Sequence, residues 1–297
     1  MSPLISIVVP VYNYPELLFG TLNSVINQNY QNFELLIIDD GSTVNIKHVI
    51  ESFHDNRLKY FRIEHQNANA ARNHGITNCN GQFVAMLDAD DIWLPNHLSD
   101  CLSSIGKSDG LYGGLIIDNI KNGDQSHFHV RDLNFNESMI DYLLTTGLGA
   151  QTSTLFLTAN SVFDILWDQS LKRHQDYDFI IRYHKKYMLR SKKNITVIYR
   201  MNNKPANIDF DSCIRFIKRN EDDISPIVYY KYHLDMLLRA RQGNASHTII
   251  EHYKNEATKY IEYISYFKYL SIIEPNTRLE EIKSIINYLI KITRLLF

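Results

Sequence analysis

Cysteine is scarce in this 297-residue chain: Cys79, Cys101 and Cys213 stand far apart and form no CxxC pair. Neither a disulfide framework nor a zinc site is indicated, and a reducing compartment fits. Long apolar runs are also missing. The longest near the start, Leu4–Val11, stops at Tyr12 and Asn13 without a basic leader, unlike a secretory signal. No stretch approaches the roughly 18–20 apolar residues of a spanning helix. The expected location is therefore cytoplasmic. A surplus of positive charge is absent too, the formal net charge being -2, so no nucleic-acid partner is expected. There is no internal repeat and no low-complexity tract.

What is present is an ordinary globular composition, 44% hydrophobic and 22% charged, long enough for one large domain plus an appendage. Aromatics are plentiful, with 19 Tyr and 14 Phe. The many tyrosines of the last third suggest a wet, amphipathic surface there.

Strand and helix signals alternate through the first third. Ile5–Val11, Phe33–Ile38, Leu58–Ile63 and Phe83–Leu87 read as strands; the continuous β-branched run of the first suits a strand buried on both faces of a parallel sheet. Pro15–Asn27, Val44–Phe53 and Asn69–Asn78 read as helices, Pro15 falling where a first turn tolerates proline. This alternation predicts a doubly wound α/β sheet, in which ligands bind beyond the carboxyl ends of the strands. Further on, Gly110–Asp118, Ser153–Thr158 and Ile195–Arg200 read as strands, with a polar connection over 119–134. From about Asp209 the pattern is helical. In the final segment Ile282, Ile285, Ile286, Leu289, Thr293 and Leu296 share one helical face opposite Lys283, Asn287, Lys291 and Arg294. Such a helix packs on its own chain or a second copy, or rests on anionic lipid. A homodimer or a peripheral contact with the inner face of the membrane through the C-terminal helices is the corresponding expectation.

Three acidic clusters follow strands or open a helix. Asp88-Ala89-Asp90 places two carboxylates where both can reach one divalent cation, although Asp91 equally reads as the cap of a helix over 92–102. Asp39-Asp40 ends an earlier strand, suiting contact with a ribose or base; Asp-Gly-Ser is also good turn chemistry. Asp176, within Arg173-His-Gln-Asp-Tyr-Asp-Phe179, reads as a general base or as an N-cap. Arg72, on a helix of small residues, can face a phosphate or simply be exposed.

The segments PVYN (Pro10–Asn13), DDGS (Asp39–Ser42), AARNHG (Ala70–Gly75), DADD (Asp88–Asp91) and HQDYDF (His174–Phe179) occur in this order. In them the chain resembles the family 2 glycosyltransferases of GT-A fold, the large inverting family that builds bacterial polysaccharides. The resemblance is close over residues 4–100, good again around 152–200 and weak beyond about 205.

It implies a Rossmann-like, mostly parallel mixed sheet flanked by helices, with a helical C-terminal appendage. The catalytic domain would span 1–205, with 1–100 for the nucleotide-sugar and 101–205 for the acceptor side and base; 206–297 would be the helical region. The family also implies that Pro10 and Tyr12 line the nucleotide pocket. Asp40, together with Asp39, would hold the uracil or ribose, and Arg72 would lie near the nucleotide. Asp88 would reach the donor's ribose side, with Ala89 beside it. Asp90 would ligate Mg²⁺ or Mn²⁺, and Asp176 would be the catalytic base. The implied partners are a nucleotide-sugar donor, UDP-linked by default, and a glycan or lipid-linked glycan acceptor such as a capsule, O-antigen or lipooligosaccharide precursor. The implied reaction is an inverting, non-processive transfer of a hexose or N-acetylhexosamine with a β-linked product.

Departures from the family pattern exist. Gln175 stands where many relatives carry Glu. Met201-Asn202-Asn203 follows Tyr199-Arg200 where a histidine near the metal is frequent, so the third metal ligand stays open. QxxRW, which processive synthases carry, is absent. Two other readings compete. A nucleotidyltransferase would need a glycine-rich basic loop after the first strand, and Val9-Pro-Val-Tyr-Asn-Tyr-Pro15 has neither Gly nor Lys. A non-catalytic nucleotide-sugar-binding assembly subunit would have little reason to retain both the metal carboxylate and the base.

Overall fold

A computed structural model describes residues 2–201 and 208–259. The chain runs β1 (Ile5–Val11), α1 (Pro15–Ile26), β2 (Phe33–Asp39), α2 (Lys47–Glu51), β3 (Leu58–Arg62), α3 (Ala68–Thr77) and β4 (Phe83–Met86). Then come β5 (Ile92–Trp93), α4 (His97–Ile105), β6 (Gly110–Gly113), β7 (Leu115–Asn119), β8 (Gln125–Phe128) and α5 (Met139–Thr146). A 3₁₀ turn at Thr152–Thr154 leads to β9 (Phe156–Thr158), α6 (Ala159–Asp164), α7 (Gln175–His184), β10 (Leu189–Lys192) and β11 (Val197–Met201). Helices α8 (Phe210–Arg219), α9 (Pro226–Gln242) and α10 (His247–Thr258) follow.

Seven strands form the main sheet in the order β10-β6-β9-β4-β1-β2-β3. The pairs β1–β2, β1–β4, β2–β3 and β10–β6 are parallel, and β9 runs antiparallel between β4 and β6. The mostly parallel α/β sheet expected from the sequence is therefore present. Every residue of β1 and β2 is buried, as their unbroken apolar runs require when helices cover both faces. Leu18, Leu22 and Val25 of α1 join Ile5, Ile7, Val9, Leu35 and Ile37 in one core.

Several expected elements are redrawn. The strand expected over 110–118 is two strands in different sheets, because β7 leaves to join a second sheet of order β5-β11-β7-β8. The break falls at Gly113-Gly114, where a Cβ on Gly114 would lie 2.5 Å from the carbonyl oxygen of Phe128. The polar connection over 119–134 contains β8. The helix expected over 92–102 begins at His97, since Pro95 disfavours helical backbone at Leu94 and Ile92–Trp93 pair with β11 instead. The expected strand over 153–158 starts inside the 3₁₀ turn Thr152–Thr154 and is extended strand only from Phe156.

The compact unit that holds both sheets extends to Phe216. Beyond it, α9 and α10 continue the expected helical pattern, but the wet tyrosine surface does not appear in them: Tyr229, Tyr230, Tyr232 and Tyr253 are buried. The Tyr229 hydroxyl donates to Glu256 and its ring lies 4.0 Å from that of His233, so the ring is buried with its polar tip paired. Among the described residues no helix is long and apolar enough to cross a membrane. The amphipathic segment 276–297, and with it the expected dimer or membrane contact, lies outside the described residues.

Helix α3 sits unusually close to the sheet. A Cβ on Gly75 would lie 2.4 Å from Cγ1 of Val8, and β-branched Val8 in a filled core has no room to turn. Gly75→Ala should therefore destabilise the protein by about 1–3 kcal/mol, as overpacking does. Thr77→Ala, at an exposed position of the same helix, should stay within about 0.5 kcal/mol. Urea unfolding of the two variants beside the parent checks this.

Candidate active site

The carboxyl ends of β1, β2 and β4 open on one edge of the main sheet. At the end of β1, Pro10 is buried and Tyr12 is 37% exposed. The Tyr12 ring stacks on His65 with centroids 4.2 Å apart. Asn13 has left-handed backbone, φ 59°, which asparagine tolerates. Its Oδ1 accepts from the Thr43 N–H at 2.7 Å and its N–H donates to Ser42 Oγ at 3.0 Å. These bonds tie the loop after β1 to the turn after β2.

Both carboxylates of that turn are buried and engaged within the chain. Asp39 accepts from Ser42 N at 2.8 Å, Tyr60 Oη at 2.6 Å and Arg62 Nη1 at 3.1 Å. Asp40 accepts from Gln66 N at 2.9 Å and lies 2.9 Å from His65 Nδ1. Gly41 has φ 73°, and a Cβ there would meet His65 N at 2.8 Å. The Asp-Gly-Ser segment is thus a turn locked by its own carboxylates, with Asp40 underneath the Tyr12–His65 stack.

Four residues, Asp88 to Asp91, follow β4. Asp88 is paired with Arg72 of α3, Nη2 to Oδ1 at 2.6 Å. Arg72 is buried and also reaches Asn69 Oδ1 at 3.3 Å, while its Nε is buried with no acceptor among the described residues. The half-buried Ala89 and the buried Asp91 present their carbonyl oxygens to the Thr21 hydroxyl, each at 2.8 Å. Asp91 caps no helix. It is buried and accepts from Ser153 Oγ at 2.6 Å, Gln151 Nε2 at 3.0 Å and Arg200 N at 3.2 Å. Burial, with Asp88 and Asp90 nearby, pushes its carboxyl up to about 8.

Asp90 is different. Its main-chain carbonyl accepts from Arg200 Nε at 2.5 Å, but its half-buried carboxylate has no side-chain partner among the described residues. Burial raises its pKa, and Asp88 adds to the rise. A cation-deficient oxygen cluster of this kind suits a hard divalent ion. Among the described residues no three His, Cys, Asp or Glu side chains form a cage. That donor set fits Mg²⁺ or Mn²⁺ taken by one or two carboxylates together with phosphate and water, and does not fit an all-protein site.

The third cluster comes from a loop suspended between two helices. Asn73 exchanges two bonds with Trp167: Nδ2 donates to its carbonyl at 2.9 Å, and Oδ1 accepts from its N–H at 2.8 Å. Asn69 Nδ2 donates to the carbonyls of Asp168 at 2.9 Å and Leu171 at 2.8 Å. From α8, Ser212 Oγ accepts from Lys172 N at 2.8 Å and Arg215 donates to the Ser170 carbonyl at 3.0 Å. The loop ends at His174, whose left-handed φ of 57° turns the chain into α7. Asp176, in the first turn, is half-buried and accepts from Tyr177 N at 3.0 Å, with no side-chain donor among the described residues. Burial raises its pKa, opposed by that bond and by Arg72. Asp178 is buried and paired with Arg182 at 2.8 Å, so Asp176 is the carboxylate of this helix that stands open.

A cavity of about 390 Å³ lies at the start of α7, lined by Lys172, Arg173, Asp176, Tyr177 and Tyr199 among others. Tyr199 of β11 was not singled out as a site residue in the sequence. Burial raises its phenol pKa, and Asp91, Asp90, Asp88 and Asp176 all add to the rise. The second and third acidic clusters, 85 residues apart between Asp91 and Asp176, therefore share one locale around this ring. Asn69, Asn73 and Ser212 were also missed. The AARNHG motif draws attention to its arginine, and no local signal says that Asn73 within it and Asn69 just before it grip a loop about 100 residues later.

Comparison with known proteins gives a consistent picture. The sequence pattern of glycosyl transferase family 2 matches residues 6–167. The amylovoran biosynthesis glycosyltransferase AmsB of Erwinia amylovora is 33% identical over 190 residues, 60% of this chain and 62% of AmsB. WfgD of Escherichia coli, a UDP-Glc:α-D-GlcNAc-diphosphoundecaprenol β-1,3-glucosyltransferase, is 37% identical over 119 residues, 39% of this chain and 47% of WfgD. The chain thus spans under two thirds of the length of these relatives. A crystal structure of S. aureus TarS 1-349 in complex with UDP-GlcNAc superimposes with a TM-score of 0.56 at 19% identity, over 99% of this chain and 81% of that one. That likeness is one of fold.

The asparagine clamp makes a measurable claim. Asn69→Ala strips two loop carbonyls of their donor, and a buried polar group left unpaired costs about 1–3 kcal/mol. The loop should open more often, and trypsin should cut after Lys172 or Arg173 roughly 5- to 30-fold faster, as 1–2 kcal/mol implies. Unchanged cleavage in a folded Asn69→Ala variant would show that the loop is held elsewhere.

Proposed function

The chain belongs to glycosyl transferase family 2, and on that premise we propose that it transfers a hexose or N-acetylhexosamine from a UDP-sugar to a hydroxyl of a surface-glycan precursor, non-processively and with inversion. The observation that carries this reading is the gathering of Asp88, Asp90 and Asp176 about Tyr199, which shares a cavity with Asp176, and the pairing of Arg72 with Asp88. The UDP donor is supported by the UDP-GlcNAc held in TarS, and the lipid-linked or polymeric acceptor by the names of WfgD and AmsB.

In this reading Pro10 and Tyr12 line the uridine pocket, and Asp39 and Asp40 act there through the turn they lock. Arg72, with its unpaired buried Nε, meets the donor's phosphates; Asp88 holds Arg72 and reaches the ribose side, with Ala89 beside it. Asp90 would hold Mg²⁺ or Mn²⁺, which would supply positive charge to the departing diphosphate. Asp176 takes the proton from the acceptor hydroxyl as its oxygen forms a bond to the anomeric carbon. The bond from that carbon to the donor phosphate breaks on the opposite face, and its electron pair leaves with UDP. One in-line displacement turns an α-linked donor into a β-linked product.

Asp90→Asn removes a charged ligand from a partly open position, so the fold should survive. Mn²⁺-dependent transfer should fall by about 10²-fold or more, since Lewis-acid charge stabilisation is worth several kcal/mol. Radiolabelled-sugar transfer beside a thermal melt checks this, and full activity in the folded variant would move the metal elsewhere.

Asp176→Asn should lower kcat by about 10²–10⁴-fold, the usual worth of a general base, with little change in the donor's KM. The base works ionised and its pKa is raised from 3.8. Activity of the parent should therefore be lost as pH falls through a midpoint above 3.8, and the residual activity of Asp176→Asn should lack that limb. An α-linked product in the NMR spectrum of the anomeric proton would refute inversion.

A further inference from the structure

We propose that Lys172 and Arg173 form an anion site in the wall of the Asp176 cavity, and that it takes a phosphate carried by the acceptor. The inference rests on the glycosyltransferase reading above and adds the acceptor's chemistry to it. The shared chemistry is a phosphate ester, whether the diphosphate of a lipid-linked sugar or a phosphodiester within a glycan.

Four observations carry it. Lys172 and Arg173 both line the cavity that contains Asp176 and Tyr199. Neither has an ion-pair partner among the described residues, whereas Arg62, Arg72, Arg182 and Lys192 are each matched to an aspartate at 3.1 Å or less. The Arg173 Nε is buried without an acceptor, a state that a bound anion would relieve. The backbone of both residues is held in place, Lys172 N at 2.8 Å and Arg173 N at 3.3 Å from Ser212 Oγ.

The division of labour among the cations points the same way. Arg72 is the cation that acts on Asp176 and pairs with Asp88, so the donor side is already served. Arg173 instead acts on Tyr177, which lines the same cavity. It stands three residues before Asp176 in the chain. An acceptor sugar with its hydroxyl at Asp176 can then present a phosphate to Arg173 within the same cavity. The guanidinium fork matches phosphate bidentately, and lysine adds a point charge. In a chain of net charge -2, such a wall selects an anion locally and not through the global field.

The test is calorimetric titration of the full chain, with and without saturating UDP and Mn²⁺. The probes are octyl diphosphate, glycerophosphoglycerol and the neutral octyl glucoside, all below micellar concentration. One of the two phosphates should bind the UDP-saturated protein, and which one binds tells the lipid-carrier source from the phosphodiester source. Octyl glucoside should not bind. Arg173→Gln and Lys172→Gln should each weaken binding by about tenfold, the scale of one charge-assisted contact, while Arg173→Lys retains part of it. If Arg173→Gln fails to fold, Lys172→Gln, at an exposed side chain, reads the site alone. Binding of neither phosphate, competition of the phosphate by UDP, or parental affinity in the folded Gln variants would overturn the proposal. Failure of UDP itself to bind would sink the glycosyltransferase reading, and the phosphate titration would still report on this site.

Discussion

Four carboxylates crowd the neighbourhood of Tyr199: Asp88, Asp90, Asp91 and Asp176. Like charges brought together and partly removed from water repel, and the fold must either neutralise them or leave a cation's place. The chain meets this demand unevenly. Asp88 receives a buried arginine at 2.6 Å. Asp91 receives three donors. Asp90 and Asp176 receive almost nothing beyond backbone N–H groups, and both have raised pKa values from burial. The two carboxylates left uncompensated are those to which the proposed reaction gives work, one on a metal and one on a proton.

That arrangement depends on holding Asp176 against the edge of a sheet to which its own helix contributes no strand. Helix α3 does this with side-chain amides: Asn69 and Asn73 bond loop backbone at residues 167, 168 and 171. The same helix carries Arg72 and packs against Val8 through Gly75. One rigid element therefore sets both the donor-side cation and the loop that leads to the base. Paired buried amides hold a loop more tightly than exposed contacts would, because opening leaves carbonyls unsatisfied.

The small second sheet completes the locale. Pairing of β11 with β5 and β7 brings Tyr199 among the carboxylates and places Arg200 on the carbonyl of Asp90. The step between sheets falls at the double glycine 113–114, where a Cβ on Gly114 would lie 2.5 Å from the Phe128 carbonyl oxygen, so it needs a residue without one. A β-strand read as continuous over 110–118 hides that step, because alternation and β-branching look alike on both sides of it.

The main sheet, the positions of the acidic clusters at strand ends or at the opening of a helix, and the family resemblance are all legible in the order of residues. Buried parallel strands are unbroken apolar runs, and ligand-facing turns are short and polar, so both are local signals. That order also identified Asp90 and Asp176 as candidates, but offered a cap or turn for every acidic residue with equal right. Which carboxylates are spent inside the fold emerges only from packing. Asp39 and Asp91 are consumed by partners up to 109 residues away, such as the Arg200 N–H on Asp91, while Asp90 and Asp176 are not. Packing alone singles out Tyr199, Asn69, Asn73, Ser212 and the pair Lys172–Arg173. Whether a polar side chain is satisfied depends on what lies across the fold from it, and that is a property of the packed chain which no local pattern of residues carries.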